Sequence, residues 1–75
     1  MKEQVLEIVQ SIRPDVDFME ATDLIDGGTL ESLDIVAIVG ELNDAFDIEI
    51  SVDDLLPENF NTLDAMVQLV EAMQE

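Results

Sequence analysis

Residues 30–50 read LESLDIVAIVGELNDAFDIEI, and the fold turns on how their apolar positions repeat. Ile35, Ile38, Val39, Leu42 and Phe46 recur at about 100° per residue, the period of an α-helix with one face toward a core, which predicts a helix over Ser32–Phe46. On the same wheel Leu33, Val36, Ala37 and Gly40 form a second apolar stripe roughly opposite the first. A chain of 75 residues has too little interior to bury both faces with ease. The second stripe is flanked by Asp34, Glu41 and Asp44. An apolar centre with a charged rim is the composition of a protein docking surface. The competing reading packs this stripe beneath a neighbouring loop.

Moving toward the N-terminus, residues 14–31 collect Pro14, Asp15, Asp17, Asp23, Asp26, Gly27 and Gly28. This is turn-forming chemistry. Scattered Phe18, Leu24, Ile25 and Leu30 pin the resulting long loop to the core. Before it, Val5, Ile8, Val9 and Ile12 keep helical spacing, so a first helix is predicted over 3–13, with Pro14 stopping it. Beyond residue 50, Ser51 and Asp54 have the spacing of a capping box that opens a brief helix over Val52–Leu56, which Pro57 ends. Thr62 is placed to cap a last helix carrying Leu63, Met66, Val67, Val70 and Met73. The predicted fold is all-α, a four-helix bundle with a short third helix and a long first loop, in one domain spanning 1–75.

Composition narrows function. Nineteen acids against Lys2 and Arg13 give a formal charge of -17. Such a field repels nucleic acid and anionic lipid and draws basic protein surfaces, so no nucleic acid partner and no stable membrane insertion are expected. Nor does any stretch approach membrane-spanning length or a signal-peptide core, which makes the cytoplasm the expected location; a monomer is the expected state. Cysteine and histidine are both absent. That removes thiolate zinc sites and leaves Ser32 without the usual general base, so no catalytic residue is expected and a Ser32 hydrolase is disfavoured. Asp15 and Asp17 begin an EF-hand spacing that Met19 and Glu20 break, so no specific metal site is expected either. An acidic interaction module without modification is one functional class this composition allows.

Ser32 follows the flexible Gly27 and Gly28 in DGGTLESLDIV and stands where the helix begins. Taken alone, a serine there is usually an N-cap, although a phosphodiester would also be favoured at a helix N-terminus. The string LESLDIVAIVGELNDAFDIEI resembles the serine motif and second helix of acyl carrier proteins and of the related peptidyl and D-alanyl carriers, and the whole chain is similar to them in length, acidity and helix order. That resemblance implies that Ser32 takes a 4'-phosphopantetheine arm from coenzyme A. The arm's thiol would carry acyl or aminoacyl groups as thioesters to partner enzymes of fatty-acid, polyketide or specialised biosynthesis.

The partners so implied are a phosphopantetheinyl transferase, an acyl- or aminoacyl-activating ligase, and synthases or transferases with basic docking patches. They would meet Leu33, Asp34, Val36, Ala37, Gly40, Glu41 and Asp44. Cargo shelter is implied between the second and third helices, with Val39, Ile50 and Leu55 as candidate lining residues or as ordinary core. Three departures qualify the likeness. Glu31 stands where the family usually has Asp, and Ala37 and Gly40 stand where fatty-acid carriers commonly have glutamate and methionine. LLPENFNTLDAM, with LIDGGTLES, looks closer to D-alanyl or specialised carriers for cell-wall or peptide biosynthesis.

Overall fold

The computed structural model describes residues 1–74. Four α-helices follow in order: α1 (Lys2–Ile12), α2 (Ser32–Phe46), α3 (Pro57–Phe60) and α4 (Leu63–Met73). Strands are absent among the described residues, so the all-α expectation holds. α1 packs against both α2 and α4, and α3 packs on α4. Their shared interior is built from Val5 and Val9 of α1, Ile38 and Leu42 of α2, Phe60 of α3, and Leu63, Met66, Leu69 and Val70 of α4, all buried. Of the expected core stripe of α2, Ile35, Val39 and Phe46 are only half-buried, the last two packed against the core.

Residues 13–31 form no regular helix, yet their course is fixed. Val16, Phe18, Leu24 and Leu30 point into the core and are buried, and Ile25 is half-buried against it. The exposed backbone between them is tied down by side chains. Asn61, between α3 and α4, accepts hydrogen bonds at Oδ1 from the N–H of Ile25 (2.9 Å) and of Asp26 (3.1 Å). Its Nδ2 donates to Asp26 Oδ2 at 3.0 Å, while Gln10 Nε2 at the other end donates to the Val16 carbonyl at 2.7 Å. Glycine is required at the turn before α2: Gly28 has φ of 78°, and a Cβ on Gly27 would lie 2.7 Å from the Asp23 carbonyl oxygen.

The segment after α2 corrects two expectations. A single 3₁₀ turn, Val52–Asp54, stands in place of a helix over Val52–Leu56. Ser51 and Asp54 do interact, through Ser51 Oγ to Asp54 Oδ2 at 3.0 Å, but the short third helix comes later. Pro57 opens that helix instead of ending the preceding turn, because the first helical position has no backbone partner to lose and favours proline's fixed φ. Thr62 caps α4 as expected, its Oγ1 accepting from the Ala65 N–H at 3.0 Å.

Candidate functional site

α2 begins at Ser32, but Ser32 is not its cap. Glu31 holds the N-cap position with extended backbone (φ -105°, ψ 171°), and Asp34 Oδ2 accepts from the Glu31 N–H at 3.0 Å. Capping is thereby done by residues on either side of the serine, which corrects the N-cap reading of its hydroxyl. Ser32 is the first helical residue and is exposed. Its Oγ is a nucleophile-sized oxygen presented at a helix N-terminus, where the partial positive charge of unpaired backbone N–H groups favours a phosphate.

Next to it lies the face expected to dock a partner. Leu33 is 81% and Val36 63% exposed, and Ala37, Gly40, Glu41 and Asp44 are exposed as well. These residues share one side of α2, so the stripe is on the surface and does not pack beneath the loop. Leu55 and Leu56 are also exposed, at 37% and 46%. Asp34 differs from the rest of the set. Its side chain is only 17% exposed, and Oδ2 is bound by Arg13 Nη1 at 2.5 Å as well as by the Glu31 N–H. This carboxylate is committed inside the protein, so Glu41 and Asp44 are the acids that remain open on the face.

Arg13 is the component that residue spacing did not single out. One residue past α1, it takes Asp15 in a two-pronged contact (Nε to Oδ1, 3.1 Å; Nη2 to Oδ2, 3.0 Å) and donates from Nη1 to the Thr29 carbonyl at 3.2 Å. The hydrogen bonds that the guanidinium donates to Asp15 and to Asp34 raise its already high pKa, and the Asp15 contact lowers the pKa of Asp15. Its signal in the sequence was scarcity: a cation at a helix end in a chain with only two. The other, Lys2, pairs with Asp64 at 3.0 Å across α1 and α4.

Of the candidate cargo-lining residues, Ile50 is buried, Val39 is half-buried and Leu55 is exposed. Surface hollows are seen at two other places. One sits between α1 and the end of α2, edged by Glu7, Ile8, Ser11, Ala45 and Phe46, and another is edged by Lys2, Met19, Thr22 and Asp64. Among the described residues no cluster of three or more acids is arranged to hold a metal ion, and no helix is long and apolar enough to cross a membrane.

Comparison with known proteins adds a family to this geometry. Residues 3–70 match the family described as "Phosphopantetheine attachment site". A D-alanyl carrier protein of Streptococcus pyogenes serotype M5 (strain Manfredo) is 33% identical over 75 residues, covering 99% of this chain and 95% of its own length. A second D-alanyl carrier protein, from Streptococcus sanguinis (strain SK36), is 32% identical over the same shares of the two chains. No solved structure gives a significant match.

Proposed function

Because this chain belongs to the phosphopantetheine-attachment family of carrier proteins, we propose that Ser32 receives the 4'-phosphopantetheine arm and that the arm carries a small aminoacyl group of the D-alanyl kind. The observation behind the attachment residue is the exposed Ser32 hydroxyl at the first position of α2, relieved of capping by Glu31 and Asp34. In the transfer, Ser32 Oγ attacks the pantetheine-bearing phosphorus of coenzyme A, a new P–O bond forms, and the bond to the departing adenosine 3',5'-bisphosphate breaks. The hydroxyl proton leaves to a base on the transferase, since this chain has no histidine to accept it. When bound, the group supplies the thiol that cysteine-free sequence lacks, and holds the cargo carboxyl as a thioester.

Carrier proteins are generally not enzymes, and we take this one to have no catalytic residue of its own. Its domain is the single unit 1–75, acting as a monomer in the cytoplasm. Its partners are the transferase, an ATP-using aminoacyl-activating ligase and an acceptor enzyme, each bringing a basic patch to Glu41 and Asp44 and an apolar contact to Leu33 and Val36. Three features favour small cargo over a fatty chain: the D-alanyl carriers among the relatives, the light side chains at Ala37 and Gly40, and the exposure of Leu55. Loading the modified protein with D-alanine and with acyl groups of increasing length tests the cargo. The melting temperature is expected to be indifferent to chain length. A steady gain, approaching the roughly 0.8 kcal/mol per buried methylene of a true acyl cavity, would show that Val39, Ile50 and Leu55 shelter a fatty chain instead.

A further inference from the structure

The Arg13 clasp takes no part in the chemistry at Ser32, yet it ties the backbone before that residue to a side-chain carboxylate after it. Nη1 holds the Thr29 carbonyl (3.2 Å) before the serine and Asp34 Oδ2 (2.5 Å) after it, and the same Oδ2 holds the Glu31 N–H at 3.0 Å. On its other edge the guanidinium is oriented by the two contacts to Asp15, so the fork is fixed before it reaches the α2 turn. A planar guanidinium can satisfy these partners at once, whereas a lysine ammonium is a single point of charge on a flexible stem. The arrangement also takes one carboxylate out of the acidic face.

Resting on the reading of Ser32 as the attachment residue, we propose that Arg13 is a positioning residue for its modification. Arg13 fixes the backbone from Thr29 to Asp34, so that Ser32 Oγ meets the transferase in one orientation, and it withholds Asp34 from the field that attracts basic partners. These two actions have opposite kinetic signs when Arg13 is lost. A loosened turn misplaces the nucleophile and lowers kcat, because reaction depends on the attacking oxygen being held close and aligned. A released Asp34 carboxylate adds negative charge beside the docking face and strengthens encounter, so KM for the carrier does not rise.

The experiment compares the wild-type chain with Arg13→Gln, Arg13→Lys and Lys2→Gln, using coenzyme A and a broad-specificity phosphopantetheinyl transferase. kcat and KM are read separately, and amide hydrogen exchange is followed over residues 30–34. Arg13→Gln is expected to lower kcat about tenfold with KM unchanged or reduced, since small displacements of a reacting group cost at least that much. Exchange at residues 30–34 is expected to quicken, and Arg13→Lys to recover part of kcat. Lys2→Gln breaks the Lys2–Asp64 ion pair, away from Arg13, and is expected to leave kcat alone, which separates positioning from general loss of stability. A kcat for Arg13→Gln equal to that of wild type or of Lys2→Gln, or a lowered kcat with unaltered exchange at residues 30–34, would overturn the proposal. Failure of the wild-type chain to gain the arm would overturn the attachment reading itself, a result distinct from normal modification of both wild type and Arg13→Gln.

Discussion

The two faces of α2 carry the same kind of side chain and meet opposite fates. Ile38 and Leu42 are completely buried in the core, on the helix that packs against α1, whereas Leu33 and Val36, on the same helix, remain mostly in water. Periodicity marks both stripes as apolar and cannot say which one the bundle will cover. The answer comes from the other helices: Val5, Val9, Met66 and Val70 provide one apolar wall, and one wall can bury one face. We propose that this unburied stripe is the surface a partner contacts.

The comparison breaks most visibly if the faces are truncated in turn. Leu42→Ala is expected to cost about 2 to 5 kcal/mol, the usual loss for a fully buried leucine, and to lower the denaturation midpoint accordingly. Leu33→Ala and Val36→Ala are expected to stay within about 0.5 kcal/mol of wild type, as exposed substitutions do, while slowing transfer of the arm or of cargo. Equal stability losses on both faces would mean that the exposed stripe is structural after all.

Gly40 sharpens the comparison at a finer scale. It lies in the interior of α2 on the exposed face, and a Cβ there would meet nothing within 4 Å. The fold therefore has no steric need of it. Gly40→Ala is expected to raise stability by up to about 1 kcal/mol through helix propensity alone. If partners approach the helix closely at this point, thermal melts will show the gain while transfer assays show slower turnover. A stabilised variant with undiminished transfer would dismiss Gly40 as part of the docking surface.

The smallest effect concerns the Arg13–Asp15 pair. The arginine lowers the pKa of Asp15, so its contribution is present above the ordinary carboxylate value and is lost as pH falls through the depressed folded value. The Asp15 side chain is 67% exposed, so solvent screens the pair and the contribution is small. Melting temperatures of wild type and Asp15→Asn should differ near neutrality and converge at strongly acid pH. A gap that widens on acidification would contradict this sign.

Much of this organisation was legible in the sequence because helical periodicity is local. The bounds of α2, the end of α1, the Thr62 cap and the anchors Phe18, Leu24 and Leu30 all follow from residues close in the chain. What was not legible depends on partners far apart in sequence. Asn61 fixing Ile25 and Asp26, and Arg13 reaching Asp34, are long-range hydrogen bonds with no periodic trace. Pro57 was ambiguous for a different reason: proline both ends one turn and begins the next, and only the backbone after it decides. At the site, the sequence placed Ser32 at the helix start, but the transfer of capping to Glu31 and Asp34, which leaves the serine exposed, required the structure.

The central claim is that Ser32 bears the arm, and intact mass tests it most directly. Wild-type protein and Ser32→Ala are incubated with coenzyme A and a broad-specificity phosphopantetheinyl transferase, beside a carrier known to be modified. The wild type is expected to gain the mass of one phosphopantetheine and Ser32→Ala none, leaving Ser11 and Ser51 untouched. An unchanged wild-type mass while the control carrier converts, or a gain that survives Ser32→Ala, would contradict the account.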